Sequence, residues 1–178
     1  MLRVVAGDGE AYRRSFSETM PTSFIPDDSR VSIAAEATLD LSGRSETIGS
    51  LVGAGTVTSS YAGTAVLTVG ADNTASADFA GTIQDGAGTV GLTKTGTGVQ
   101  VLSGANTYSG PTVVDGGVLK VTSLAALPTN VTVNVGGAFD VNALSLRPRS
   151  FIIAGAGAAG QIGALVNTAS GSEASVEN

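Results

Sequence analysis

A short unit that repeats limits this fold more than any other feature of the chain. Two apolar-x-apolar strands flanking a Gly or Ala corner recur as VSIAAEATLDLSG (31–43), TVVDGGVLKVTS (112–123) and VTVNVGGAFDVNA (131–143). Helical periodicity is missing, because no window keeps apolar residues at spacings of three and four for three turns without a Gly interrupting. Short strands are expected instead at Val31 to Ile33, Thr38 to Leu41, Thr47 to Leu51, Thr56 to Thr58, Ala65 to Val69, Asp78 to Gly81, Val90 to Lys94 and Val99 to Ser103. Further strands are expected at Thr112 to Val114, Val118 to Val121, Val131 to Val135, Ala138 to Val141 and Phe151 to Ile153. Corners such as Ala71-Asp72-Asn73, Asp85-Gly86 and Asp115-Gly116-Gly117 separate them, where Gly supplies positive φ and Asn or Asp a side-chain turn bond.

Strands this short suit an antiparallel sandwich or a stacked solenoid, and internal self-similarity favours the solenoid. Inward apolar residues would alternate with outward polar ones, as in Asn130-Val131-Thr132-Val133-Asn134-Val135. Only 4% of residues are aromatic and 25 are Gly, so the core must be built from small and β-branched side chains in thin layers. At about 20 to 25 residues per coil the chain would make about seven or eight coils, roughly 35 Å tall.

Charged residues are 13% of the chain, with a net charge of −6, which argues against nucleic acid as a partner. No Cys and no His are present, which removes disulfides, thiolate zinc sites and the commonest general base. No apolar run is long enough to cross a bilayer as a helix, so the chain is not expected to be membrane-embedded itself, and Met1 to Ala6 does not read as a signal-peptide core.

Residues 91–121 read GLTKTGTGVQVLSGANTYSGPTVVDGGVLKV. This segment resembles the autotransporter-associated β-strand repeat, the passenger-associated transport repeat of bacterial autotransporter passenger domains. Gln100 stands where that pattern usually has Leu, and Pro111 where Gly is common. The similarity extends more loosely over 31–167. The resemblance implies an all-β, right-handed single-stranded parallel β-helix. It further implies passenger export across the outer membrane, a C-terminal outer-membrane barrel in the full-length protein, and a location at the bacterial cell surface. Residues 1–30 are then expected to form an irregular N-terminal segment or first partial coil, 31–167 the solenoid, and 168–178 a polar frayed end cut from a longer solenoid. Ile162 to Val166 reads as the start of another rung.

The candidate chemistry is sparse. Asp27-Asp28 are neighbours after Pro26 and read as a solvated turn, since adjacent strand residues point to opposite sides. Gly7-Asp8-Gly9-Glu10 lacks the alternating oxygen ligands of a calcium loop. Gly155 to Gly160 has a dinucleotide-like spacing without a βαβ unit. Without His, a serine hydrolase would need Ser-Lys, and Lys94 and Lys120 both lie in the scaffold repeat. Asn106 with Tyr108 reads as a structural corner, and Arg13-Arg14 and Arg147-Pro148-Arg149 as exposed loops. No catalytic, cofactor-binding or metal-ligating residue is assigned, and no cofactor is expected. A structural role in passenger folding and export is the leading reading. The alternative is an adhesin-type binding module that contacts glycans, host matrix or sister passengers through polar faces. A polysaccharide-cleaving solenoid would need clustered Asp, Arg or Lys, which the sequence does not offer.

Overall fold

The computed structural model describes residues 25–126, 130–144 and 150–169. The readings placed on Gly7 to Glu10, Arg13-Arg14 and Arg147 to Arg149 lie outside these residues, as do most of 1–30 and the end 170–178.

The described residues wind as a parallel β-solenoid. Turn one holds β1 (Arg30–Ile33), β2 (Thr38–Asp40) and β3 (Glu46–Ile48). Turn two holds β4 (Ser50–Gly53), β5 (Thr56–Thr58) and β6 (Thr64–Val69). Turn three holds β7 (Ala77–Phe79), β8 (Thr82–Ile83) and β9 (Thr89–Lys94). From turn four only two strands remain in each coil. These are β10 (Val99–Leu102) with β11 (Thr112–Val114), β12 (Gly117–Val121) with β13 (Asn130–Val133), and β14 (Gly137–Asp140) with β15 (Ser150–Ile153). The short strand β16 (Leu165–Val166) opens a seventh turn, as the Ile162 to Val166 pattern anticipates. A single 3-10 turn, Leu124–Ala126, interrupts turn five.

Every strand pair is parallel, and the strands fall into three sheets. The first runs β1-β4-β7-β10-β12-β14-β16, the second β15-β13-β11-β9-β6-β3, and the third β2-β5-β8. Parallel strands joined by crossover connections wind right-handed, the hand that the repeat implies. Among the described residues there are six turns and the first strand of a seventh, beside the seven or eight expected from a period spread over all 178 residues. The period itself varies: Arg30 pairs with Ser50, but Gly53 pairs with Phe79 and Val99 with Val118.

Two local differences from the sequence reading have simple causes. The strand expected from Thr47 to Leu51 is two strands, because the chain turns a corner at Gly49. A Cβ there would lie 2.4 Å from the Asp28 carbonyl oxygen, so only Gly lets the neighbouring corner approach so closely. Val135, expected to face inward, lies beyond the end of β13 at the Gly136 corner and is 76% exposed.

The core consists of columns of like residues stacked turn upon turn. Ile48, Val69, Val114 and Val133 align along the second sheet, and Phe79, Leu102 and Val121 along the first, all fully buried. Burying each such side chain contributes about 1.5–3 kcal/mol, so stability grows roughly by the turn.

Candidate functional site: polar clamps inside the repeat

Buried polar side chains interrupt these columns, among them Lys94 in turn three and Gln100 and Thr112 in turn four. Lys94 ends β9 in phase with Val90 and Leu92, so its side chain enters the column between Val69 and Val114 and is only 1% exposed. Its Nζ donates to the carbonyls of Thr95 and, at 3.2 Å, Gly116. Two successive corners are thereby tied to one ammonium. Burial pushes the Lys94 amine down to about 8, against the opposing pull of the Asp72 carboxylate.

Gln100 occupies the position where the repeat usually has Leu, and it is 2% exposed. Hydrogen bonds take the place of the apolar contact that a Leu would make there. Gln100 Nε2 donates to the carbonyls of Leu51 at 2.9 Å and Ala77 at 3.2 Å, while Oε1 accepts from the Leu51 N–H at 3.2 Å.

Asn106 stands where the third sheet stops. Residues 103–111 form no strand, and the Asn106 carboxamide takes over the ladder, accepting from Ile83 N–H at 2.9 Å and donating to the Ala126 carbonyl at 3.1 Å. Its own N–H donates to the Ala125 carbonyl at 2.7 Å. Tyr108 closes the same corner: its ring is buried, and its hydroxyl shares a 2.7 Å hydrogen bond with Thr112 Oγ1, itself in the inner column between Leu92 and Val131. Burial drives the Tyr108 phenol well above its ordinary value, and the Thr112 bond offsets this only in part. Both side chains of this corner thus bond within the solenoid.

Carboxylates are absorbed in the same way at the outer corners. Asp85 accepts from Val90 N–H at 2.7 Å and, one turn on, from Ser109 Oγ at 2.6 Å and Ser109 N–H at 3.0 Å. Burial works to raise its carboxyl, and these donors outweigh it and hold the group below the usual value. Asp140 accepts from Asn142 N–H and from Thr168, and lies 3.3 Å from Lys120 Nζ. Asp40 and Asp115 link their corners to Ser60 and Asn134. Lys120 also donates to Thr168 Oγ1 at 2.7 Å, so the bonds of both repeat lysines run to carbonyls, Thr168 and Asp140, with no serine among them.

The remaining candidates are not brought together. Asp27 and Asp28 are exposed in a turn closed by Ser29 N–H to the Pro26 carbonyl at 2.9 Å. Gly155, Gly157 and Gly160 adopt positive φ in a loop that leads to β16, with no helix behind it. Among the described residues no three carboxylates gather in a metal-ligating group, and no helix is long and apolar enough to cross a membrane. A shallow groove of about 350 Å³ lies on the outside of the first sheet, floored by Val99, Val101 and Val118, with the Lys120–Asp140 pair at its rim.

Fold and interior together define a class: a parallel β-solenoid whose turns are tied by side-chain amides and a buried ammonium. Residues 92–121 match the family described as passenger-associated-transport-repeat, and the chain carries that repeat. The chain is also similar to the adhesin BmaC autotransporter of Brucella suis biovar 1 (strain 1330), with 39% identity over 103 residues. That stretch is 54% of this chain and 3% of the relative's length. No solved structure matches.

Proposed function

We propose that this solenoid is a structural segment of a surface-displayed autotransporter-type passenger, in which the repeat secures folding of the coils as the passenger is exported across the outer membrane. The observation that carries this reading is the set of clamps centred on 92–121, which tie turns two to five together. A coil that emerges from a membrane finds partners only on coils already folded, so bonds between turns convert each folded coil into a template for the next. The proposed setting is the bacterial cell surface, with a C-terminal barrel in the full-length protein as the translocating partner, residues 31–167 as the solenoid unit, and no catalytic activity in this segment. Deleting residues 91–121 from the full-length protein is expected to lower surface display, read by antibody labelling of intact cells; unchanged display would count heavily against the proposal.

A second reading, an adhesive face, draws on the word adhesin in the relative's name and on the outside of the second sheet. There Thr47, Thr68, Thr93, Val113, Thr132 and Ile152 align in one uncharged column. A glycan and host-matrix binding screen with the segment tests it, and a uniformly negative screen would remove it.

A further inference from the structure

The ladder of the first sheet thins between turns two and three. β4 and β7 share only the Gly53–Phe79 register, whereas β1 and β4 share four consecutive pairs, as do β10 and β12. The step is long here, since 26 positions separate Gly53 from Phe79, against 20 between Arg30 and Ser50. Leu51, two residues before Gly53, is where a continued ladder would run past Ala77. Both of its backbone groups are taken instead by the Gln100 carboxamide, which comes from turn four, 49 positions away.

Gln100 is in register with Ala77, so its side chain lies in the inner column and passes turn three to reach turn two. Ala77 makes the passage possible, for its methyl is short and its carbonyl accepts from Gln100 Nε2 on the way. A carboxamide has the donor and acceptor of a peptide group. It therefore closes the gap as a strand residue would.

We propose that Gln100 is a staple coupling turn two directly to turn four, so that turns two, three and four open as one cooperative unit. Solenoid turns ordinarily interact with nearest neighbours alone and can fray one at a time. Here turn two cannot peel from turn three without also withdrawing the carboxamide that turn four supplies. On the first sheet, the step with the poorest backbone pairing is held by a bond that bypasses it.

Native-state hydrogen exchange on the purified 178-residue protein tests this. In rising urea, the Leu51 amide is expected to exchange with the same opening free energy as Leu102, while amides of β1 open earlier. In Gln100→Met, which keeps the length and removes both polar contacts, Leu51 exchange is expected to rise roughly ten- to a hundredfold, with Leu119 changing less than about threefold. Two outcomes would overturn the proposal: Leu51 opening together with β1 in the unmodified protein, or Leu51 and Leu119 accelerating by the same factor in the variant. The first needs no variant, so the test stands even if Gln100→Met does not fold. The inference depends on the geometry of these turns alone. Failure here leaves the export reading standing, and normal display after deletion of the repeat leaves this one standing.

Discussion

Asn106→Ala removes one side chain and unpairs two backbone groups. Ile83 N–H loses its acceptor at 2.9 Å and the Ala126 carbonyl its donor at 3.1 Å. Ile83 and Ala126 are both fully buried, but Asn106 is half-buried, so water can reach part of the vacated corner. Taking the low end of the penalty for stranding a buried polar group, about 1 kcal/mol each, the variant should lose about 2 kcal/mol. For a chain of this size that is a fall of about 4–8 °C in melting temperature. The local signature is stronger than the global one, since exchange of the Ile83 amide should accelerate more than that of the Leu67 amide. Asn106→Asp sharpens the test. Its carboxylate still accepts from Ile83 but faces the Ala126 carbonyl with no proton to give, so it should be less stable than Asn106→Ala at pH 7 and recover near pH 4, where a neutral acid can donate. A melting temperature within 1 °C of the unmodified protein, with the Ile83 amide equally protected, would refute the claim that Asn106 replaces a strand.

Tyr108→Phe strands Thr112 Oγ1 in the core and should cost about 1–2 kcal/mol in denaturant unfolding, with a shape change too small to account for it. In alkaline absorbance titration, Tyr108 should stay silent through the ordinary phenol range and titrate only as the fold is lost. Lys94 predicts a pH dependence of opposite kind. Its folded value of about 8 lies below its ordinary 10.5, so between these values the unfolded chain binds more protons and stability should rise with pH. Urea midpoints should be higher at pH 9.5 than at pH 7.5, and Lys94→Met should flatten that slope; an equal slope in the variant would assign it elsewhere. Gly117→Ala should destabilise by about 2–3 kcal/mol, because φ is +61° and the added Cβ would lie 2.4 Å from the Gly98 carbonyl oxygen and 2.8 Å from Lys94 Nζ. Thermal melting reads it directly.

The strands were legible because β-branched residues alternate with polar ones at period two, while the short rung at Leu165–Val166 was visible as a brief apolar run from Ile162 to Val166. The polar interior was harder to read, since polarity normally marks the outward face. Phase was the available signal: Glu46 is in step with Ile48, Lys94 with Leu92, and Thr112 with Val114, and all three polar residues are buried. Glu46 has a capping partner that no local pattern announces, its carboxylate accepting the Ile25 N–H at 2.8 Å. What sequence spacing could not show is the partner of Gln100, because a bond across 49 positions depends on the lengths of the two intervening turns. Gly49 was missed because the corner it turns is set by the approach of Asp28 rather than by its neighbours in sequence.

The clamps concentrate where successive turns fail to match. Turns one to three carry a third strand and turn four does not, so β8 would meet an irregular segment with an unpaired N–H; Asn106 supplies its acceptor. The step from Gly53 to Phe79 spans 26 positions and the step from Val99 to Val118 only 19, so the ladders on the first sheet cannot continue evenly; Gln100 bridges the defect. A solenoid of equivalent turns tolerates loss of any one of them, because the faces left behind still fit. Here they would not. Removing 91–121 takes most of β9, all of turn four and β12, so the remnants of turns three and five meet without the side chains that reconcile them, and the expected loss of display follows from a mismatched joint as well as from lost length. Gln100→Met and Asn106→Ala in the full-length protein separate the two causes, since both keep the length and damage the joint.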